Sequence, residues 1–220
     1  MLKVKSIFCI LVFCILSYAV FAGERTIPVD VFLMIDKSQS MNEPGKFDSL
    51  HKWVRDTLVT EMLIPDDWIT VWEFYEKPHE LQTLVIKNEN DRNTLIKTID
   101  NITPNGAFTD IGSALDAIQA SLNKRGKNNR YKILLLVTDL EQDAPWTSKY
   151  RGKQESFKSP YLAEARIIKH DNWYEITLDM DIQDKVVKTT KELYTNIIDN
   201  RDVPRSNDDQ NKVLITEEKK

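Results

Sequence analysis

The stretch Pro28-Val-Asp-Val-Phe-Leu-Met-Ile-Asp36-Lys-Ser38-Gln-Ser40-Met41 decides how this 220-residue chain is read. Val31 to Ile35 is continuously apolar, rich in Val, Ile, Leu and Phe, and stops at an acid. A run this short with that composition predicts a strand buried on both faces in a parallel sheet, because an amphipathic helix would interleave polar residues at its own period. In open parallel sheets, function gathers just beyond the carboxyl ends of such strands. Asp36, Ser38 and Ser40 alternate, so a chain leaving the sheet near-extended would turn three oxygens to one side and Lys37 and Gln39 to the other. A carboxylate with two hydroxyls is a hard-oxygen set, which suits Mg²⁺, Mn²⁺ or Ca²⁺ rather than zinc or copper.

More oxygens follow at two later junctions. Gly106-Ala-Phe-Thr109-Asp110-Ile-Gly-Ser113 opens an amphipathic helix, and Lys132-Ile-Leu-Leu-Leu-Val-Thr138-Asp139 is a second buried run ending in an acid. The order D-x-S-x-S, then Thr in a glycine-containing loop before a helix, then T-D after a later strand, resembles the von Willebrand factor type A domain and its metal-ion-dependent adhesion site. The resemblance implies a Rossmann-like three-layer α/β/α fold with a mostly parallel central sheet and an antiparallel edge strand. It also implies one divalent cation, Mg²⁺ first with Mn²⁺ or Ca²⁺ as alternatives, held by Asp36, Ser38, Ser40, Thr109 and Asp139. In the family an open metal position accepts a carboxylate from a protein partner. Asp110 would stand behind the ligands at most. Leu140 follows Asp139 where the family often has glycine, which bears on whether the third loop can fold back.

Composition bounds the alternatives. At 220 residues, 41% hydrophobic and 29% charged, the chain suits one α/β domain with a substantial core. Lys3 and Lys5 followed by an apolar stretch and Val20-Phe21-Ala22 read as a secretory signal peptide cut after Ala22, with a retained membrane anchor as the other reading. The expected organisation is therefore a signal at 1–22, the domain at 23–200 and a polar tail at 201–220, in a protein that is periplasmic or secreted. Cys9 and Cys14 both fall in the signal, which leaves the mature chain without disulfides or thiolate sites. Without the signal, 28 basic residues face 34 acidic ones, a net charge of −6 that argues against a nucleic-acid partner.

Along the chain, Leu50, Trp53, Val54, Leu58 and Met62 predict a helix to about residue 63. Trp68–Tyr75 and Leu81–Ile86 read as strands, the second pairing antiparallel at an edge. Asn90 or Asp91 is expected to cap a short helix carrying Leu95, Ile96, Ile99 and Ile102. Ile111, Ala114, Leu115, Ile118 and Leu122 stripe the next helix, which stops at Gly126. The basic run Lys124 to Lys132 reads as a solvated turn in preference to an anion patch. Residues 142–161 form a polar loop with Trp146, Tyr150, Phe157 and Tyr161, which either face a partner or fold back on the core. Ala163–Lys169 and Trp173–Leu178 read as a hairpin, and Ile182 to Ile198 as a last helix.

A Mg²⁺-dependent phosphoryl-transfer enzyme using Asp36 is an alternative, but the haloacid dehalogenase-like phosphatases need a second acid where Ser38 stands. No HExxH, GxSxG, P-loop or GxGxxG pattern occurs, and His51, His79 and His170 lack metal-ligand spacing. A metal-free envelope scaffold is the third reading. The favoured one is an exported, non-enzymatic module that binds protein partners through a cation, with a membrane involved only if the leader is retained.

Overall fold

A computed structural model of the chain describes residues 27–128, 130–152, 166–169 and 174–179. The leader, the last expected helix, the tail, the expected domain boundaries, and Phe157, Tyr161 and His170 lie outside these residues.

The described strands are β1 (Asp30–Asp36), β2 (Trp68–Phe74), β3 (His79–Val85), β4 (Lys132–Thr138), β5 (Arg166–Lys169) and β6 (Tyr174–Asp179). They form one sheet in the order β3-β2-β1-β4-β6-β5. β1 lies parallel to β2 and β4, and β4 parallel to β6, while β3 and β5 pair antiparallel at the two edges. Every residue of β1 and β4 is buried, as expected for central parallel strands covered on both faces. The expected hairpin is present as β5 and β6, so both edges are antiparallel where the resemblance implied one.

Alternation along β1 divides the core in two. Val31, Leu33 and Ile35 face a cluster with Leu50, Leu58, Leu95 and Ile99, whereas Phe32 and Met34 face Ile111, Ala114, Ile118 and Leu122. The first cluster is supplied by helix α1 (Lys46–Trp53), its continuation Val54–Met62, and α2 (Glu89–Asp100); the second by α3 (Ile111–Arg125). Helices therefore cover both faces, which gives the three layers.

Two local readings are corrected. The helix expected to about residue 63 is α-helical only to Trp53 and continues as a π-helix over Val54–Met62, where Leu63 N donates to Leu58 O at 2.9 Å. The wider turn suits a four-to-five-residue recurrence of buried Val54, Leu58 or Val59, and Met62 or Leu63. Arg92 from α2 donates to the carbonyls of Val59 and Leu63, satisfying oxygens at this irregular end. The cap of α2 is Asn88, whose side chain accepts from Asn90 N and Asp91 N, while Asp91 closes a capping box.

The basic run is also corrected, because four of its side chains converge on a buried acid. Asp30, fully buried at the amino end of β1, accepts from Arg125 Nε and Nη2 at 2.9 Å each, from Asn128 Nδ2 at 2.7 Å and from Arg130 Nη1 at 3.4 Å, with Lys132 Nζ at 3.7 Å. Burial alone would raise the Asp30 pKa, but the bonds from Arg125 and Asn128 and the charges of Arg125 and Lys132 outweigh it and hold it below the ordinary value.

Replacing Asp30 by Ala leaves Lys132 buried without its carboxylate, so we expect a loss of about 3–5 kcal/mol at neutral pH in urea denaturation. Because the folded pKa is depressed, this contribution is present at neutral pH and fades as pH falls through the folded value, and the gap between the two proteins should narrow in acid. A deficit under about 1 kcal/mol would contradict the network's structural role.

Candidate metal centre

The order of strands explains where a site can form. The chain runs outward from β1 to β2 and β3, then returns to place β4 on the other side of β1. The carboxyl ends of β1 and β4 therefore diverge into loops on opposite faces, opening a crevice at the topological switch point. Asp36 ends β1, Thr138 ends β4, and Asp139 follows directly after it.

The first loop is an Asx turn. Ser38 N donates to Asp36 Oδ1 at 2.8 Å, and the Ser38 and Ser40 hydroxyls lie 3.0 Å apart. Gln39–Asn42 then makes one turn of 3₁₀ helix, anchored by fully buried Met41. Lys37 pairs with Glu73 at 3.1 Å and Gln39 is exposed, so the residues between the three oxygens do turn away.

The second loop is tied to the first through main chain. Gly106 N donates to Lys37 O at 2.9 Å, and Gln39 N donates to Gly106 O at 2.8 Å. The approach demands glycine: a Cβ there would lie 2.3 Å from Tyr75 Cβ and 2.7 Å from Tyr75 Cγ. Thr109 is buried, and its main chain is bonded in both directions to Asp143 at 2.9 Å, which joins the second loop to the third. Asp110 caps α3, accepting from Ser113 N at 3.0 Å, Ser113 Oγ at 2.7 Å and Gln142 Nε2 at 3.3 Å. Its oxygens serve the start of α3 and the third loop.

The third loop does fold back without a glycine. Leu140 adopts φ +63°, a left-handed conformation, with its side chain buried. Thr138 holds this corner: its hydroxyl donates to Asp36 Oδ2 at 2.7 Å and accepts from Leu140 N at 3.1 Å. Gln142, also buried, accepts from Ile111 N at 2.7 Å and so locks the loop onto α3. Sequence reasoning missed both residues. Thr138 lay within the T-D motif, but nothing local marked Gln142.

Also missed was Lys46. The first residue of α1, it places Nζ 3.3 Å from Asp139 Oδ2 and 3.1 Å from Glu43 Oε2, with its side chain and that of Asp139 both buried. In the aromatic loop the two open readings divide. Trp146 is 75% exposed, while Tyr150 packs its ring over Gly112 and donates to Asp116 at 3.0 Å.

Burial pushes the Asp36 carboxyl up to about 6, against hydrogen bonds from Thr138 and Ser38, and the negative charge of Asp139 adds to the rise. Two carboxylates close enough to repel, one of them deeply buried, form a locus that favours a cation. Among the described residues no group of three or more His, Cys, Asp or Glu could hold a metal. A cation here would have to draw on hydroxyls, which the Asp36-Ser38-Ser40 turn supplies. Oxygens adjacent on an octahedron of about 2.1 Å radius are about 3.0 Å apart, and the separation of the two serine hydroxyls fits that spacing. The bonds to Asp36 from Ser38 N and Thr138 leave lone pairs on both carboxylate oxygens and fix its orientation, the usual arrangement behind a metal-binding carboxylate. The donor set therefore fits a small hard cation.

Gly106→Ala tests the close approach of the loops. Tyr75 Cβ is part of a fixed backbone position and cannot swing aside, so the variant should lose roughly 1–3 kcal/mol in urea denaturation. Full retention of stability would show that the second loop does not rest on Tyr75 in this way.

A Treponema pallidum (strain Nichols) protein described as uncharacterized is 65% identical over 176 residues, covering 80% of this chain and 79% of its own length. Proximal thread matrix protein 1 from the mussel byssus matches in fold with a TM-score of 0.52 at 17% identity, over 81% of this chain and 49% of that one. The same mussel protein with a zinc-occupied MIDAS motif matches with a TM-score of 0.52 at 16% identity, again over 81% of this chain and 49% of that one. This chain thus spans about half the length of the mussel protein in both of these structures. The family model of the von Willebrand factor type A domain matches residues 31–142, from the second residue of β1 through Gln142 of the third loop. With strand order, helix placement and this match in agreement, the chain belongs to the von Willebrand factor type A family.

Proposed function

We propose that this protein is an exported interaction module that holds one divalent cation at Asp36, Ser38, Ser40, Thr109 and Asp139 and presents it to an acidic side chain of a protein partner. Domains of this family often mediate protein–protein interaction, which makes a binding role the natural starting point. The observation that carries the reading is the Asp36 turn: a fully buried carboxylate at the switch point, hydrogen-bonded by neutral donors, beside two hydroxyls 3.0 Å apart.

Each residue has a distinct part. Asp36 and Asp139 supply charge, enough to attract a divalent ion but not to neutralise it fully when it is also bound by neutral hydroxyls. Ser38, Ser40 and Thr109 supply those hydroxyls. Such an ion keeps residual positive charge, and a carboxylate from outside is the ligand that meets it best. Mg²⁺ is the favoured ion, with Mn²⁺ and Ca²⁺ as the other hard cations the set admits. The export reading rests on the basic-apolar leader of residues 1–22 and places the module in the periplasm or outside the cell. Exposed Trp146, on the third loop, would then be available as a partner contact beside the ion.

Calorimetric titration of the purified protein with MgCl₂ and MnCl₂ tests the reading. Binding at a single site should weaken roughly 100-fold or more in Asp36→Ala, since direct ligands matter at least as much as the groups that orient them. Unchanged binding in the variant would defeat the assignment. Capture of partners from the exported fraction should likewise require Mg²⁺ and fail in chelator, and capture indifferent to chelator would separate the interaction from the metal.

A further inference from the structure

Lys46 is a buried ammonium set against an acid of the proposed metal centre. Its side chain is 9% exposed and that of Asp139 3% exposed, with Nζ 3.3 Å from Asp139 Oδ2. A lysine seldom accepts such burial without charge to compensate it. Here the compensation is the negative charge of the crevice, in which Asp36 is fully buried as well. The second partner of Lys46 points the other way: Glu43 Oε2 is 3.1 Å from Nζ, on a side chain that is 65% exposed. Lys46 thus stands between an inner carboxylate at the crevice and an outer one in solvent. It follows Gly45, which has φ +87° and joins the 3₁₀ turn of the first loop to α1.

From this arrangement we infer that Lys46 is a built-in competitor for the divalent ion, bound to Asp139 when the ion is absent and displaced toward Glu43 when it is present. The inference rests on the proposed metal reading and deepens it. An ammonium and a divalent cation cannot both sit against Asp139 without strong like-charge repulsion in a site this buried. Lysine suits such a role because its ammonium is a point charge on a flexible four-carbon stem, able to change partners without moving the backbone. Two consequences follow. The metal-free crevice is stable without an ion, because its negative charge is already balanced in part. Affinity for the ion is lower than the five oxygens alone would give, so occupancy responds to ion concentration instead of being permanent.

The test uses the purified protein, Lys46→Met, which keeps the stem and removes the charge, and Asp36→Ala as the control for site binding. Titration with MnCl₂ should show Lys46→Met binding at least 10-fold more tightly than wild type, while thermal unfolding in chelator should show it less stable. In the wild type, acylation of Lys46 followed by mass spectrometry, with Lys52 as internal reference, should proceed several-fold faster with Mn²⁺ than with chelator. If Lys46→Met does not fold, the labelling decides alone. Asp36-dependent binding whose affinity is unchanged or weaker in Lys46→Met, or labelling that Mn²⁺ leaves as slow as in chelator, overturns the inference and leaves the metal reading standing. Absence of Asp36-dependent binding in both proteins overturns the two together.

Discussion

The constraint on which the rest depends is the burial of acid at both ends of β1. Asp30 and Asp36 are the first and last residues of the same strand, and both are fully buried. Burial penalises each carboxylate equally in kind, yet the two ends answer differently. At the amino end the surroundings are cationic, and the Asp30 pKa falls below its ordinary value. At the carboxyl end the hydrogen-bond donors to Asp36 are neutral, Asp139 adds like charge, and the pKa rises to about 6. One end is paired directly with several cations; at the other, neutral donors hold Asp36 and the Lys46 ammonium lies against Asp139. That asymmetry separates a structural acid from a functional candidate, and it needs no appeal to the family.

The surrounding architecture serves to keep the second end open and fixed. Reversal of strand order beside β1 parts the chain at that point, and main-chain bonds from Gly106 to the first loop and from Thr109 to the third then draw the three loops together. Thr138 and Gln142 pin the third loop to Asp36 and to α3. Left-handed Leu140 shows that the loop's geometry is imposed by these contacts and not by the intrinsic preference of its residue.

Much of the fold was legible because it rests on local pattern. Apolar runs ending in acids gave β1 and β4, the stripe from Ile111 to Leu122 gave α3, β-branched and aromatic content gave β2, and turn residues between strand-like runs gave β3 and the β5–β6 pair. That the loops carrying Asp36, Thr109 and Asp139 gather at one end of the sheet was also foreseeable, since each residue stands at or just past the carboxyl end of a strand or at the start of a helix. Long-range pairing was not foreseeable. Lys46 looks like an ordinary solvated lysine at a helix start until a residue 93 positions away proves to be its partner. The basic run resolves into ligands of Asp30 only when the far end of α3 is seen beside the start of β1. The π-helical continuation is not legible for a related reason: its buried residues recur at a spacing that an α-helix fits almost as well. Asn88 is not legible as the cap because the apolar stripe it precedes begins later in the helix.

The central claim is that a single cation is held where the three loops meet. Anomalous diffraction from crystals soaked in Mn²⁺ tests it most directly. The account predicts one dominant peak bounded by the oxygens of Asp36, Ser38, Ser40, Thr109 and Asp139. A dominant peak elsewhere, or none at this crevice at saturating Mn²⁺, would contradict it.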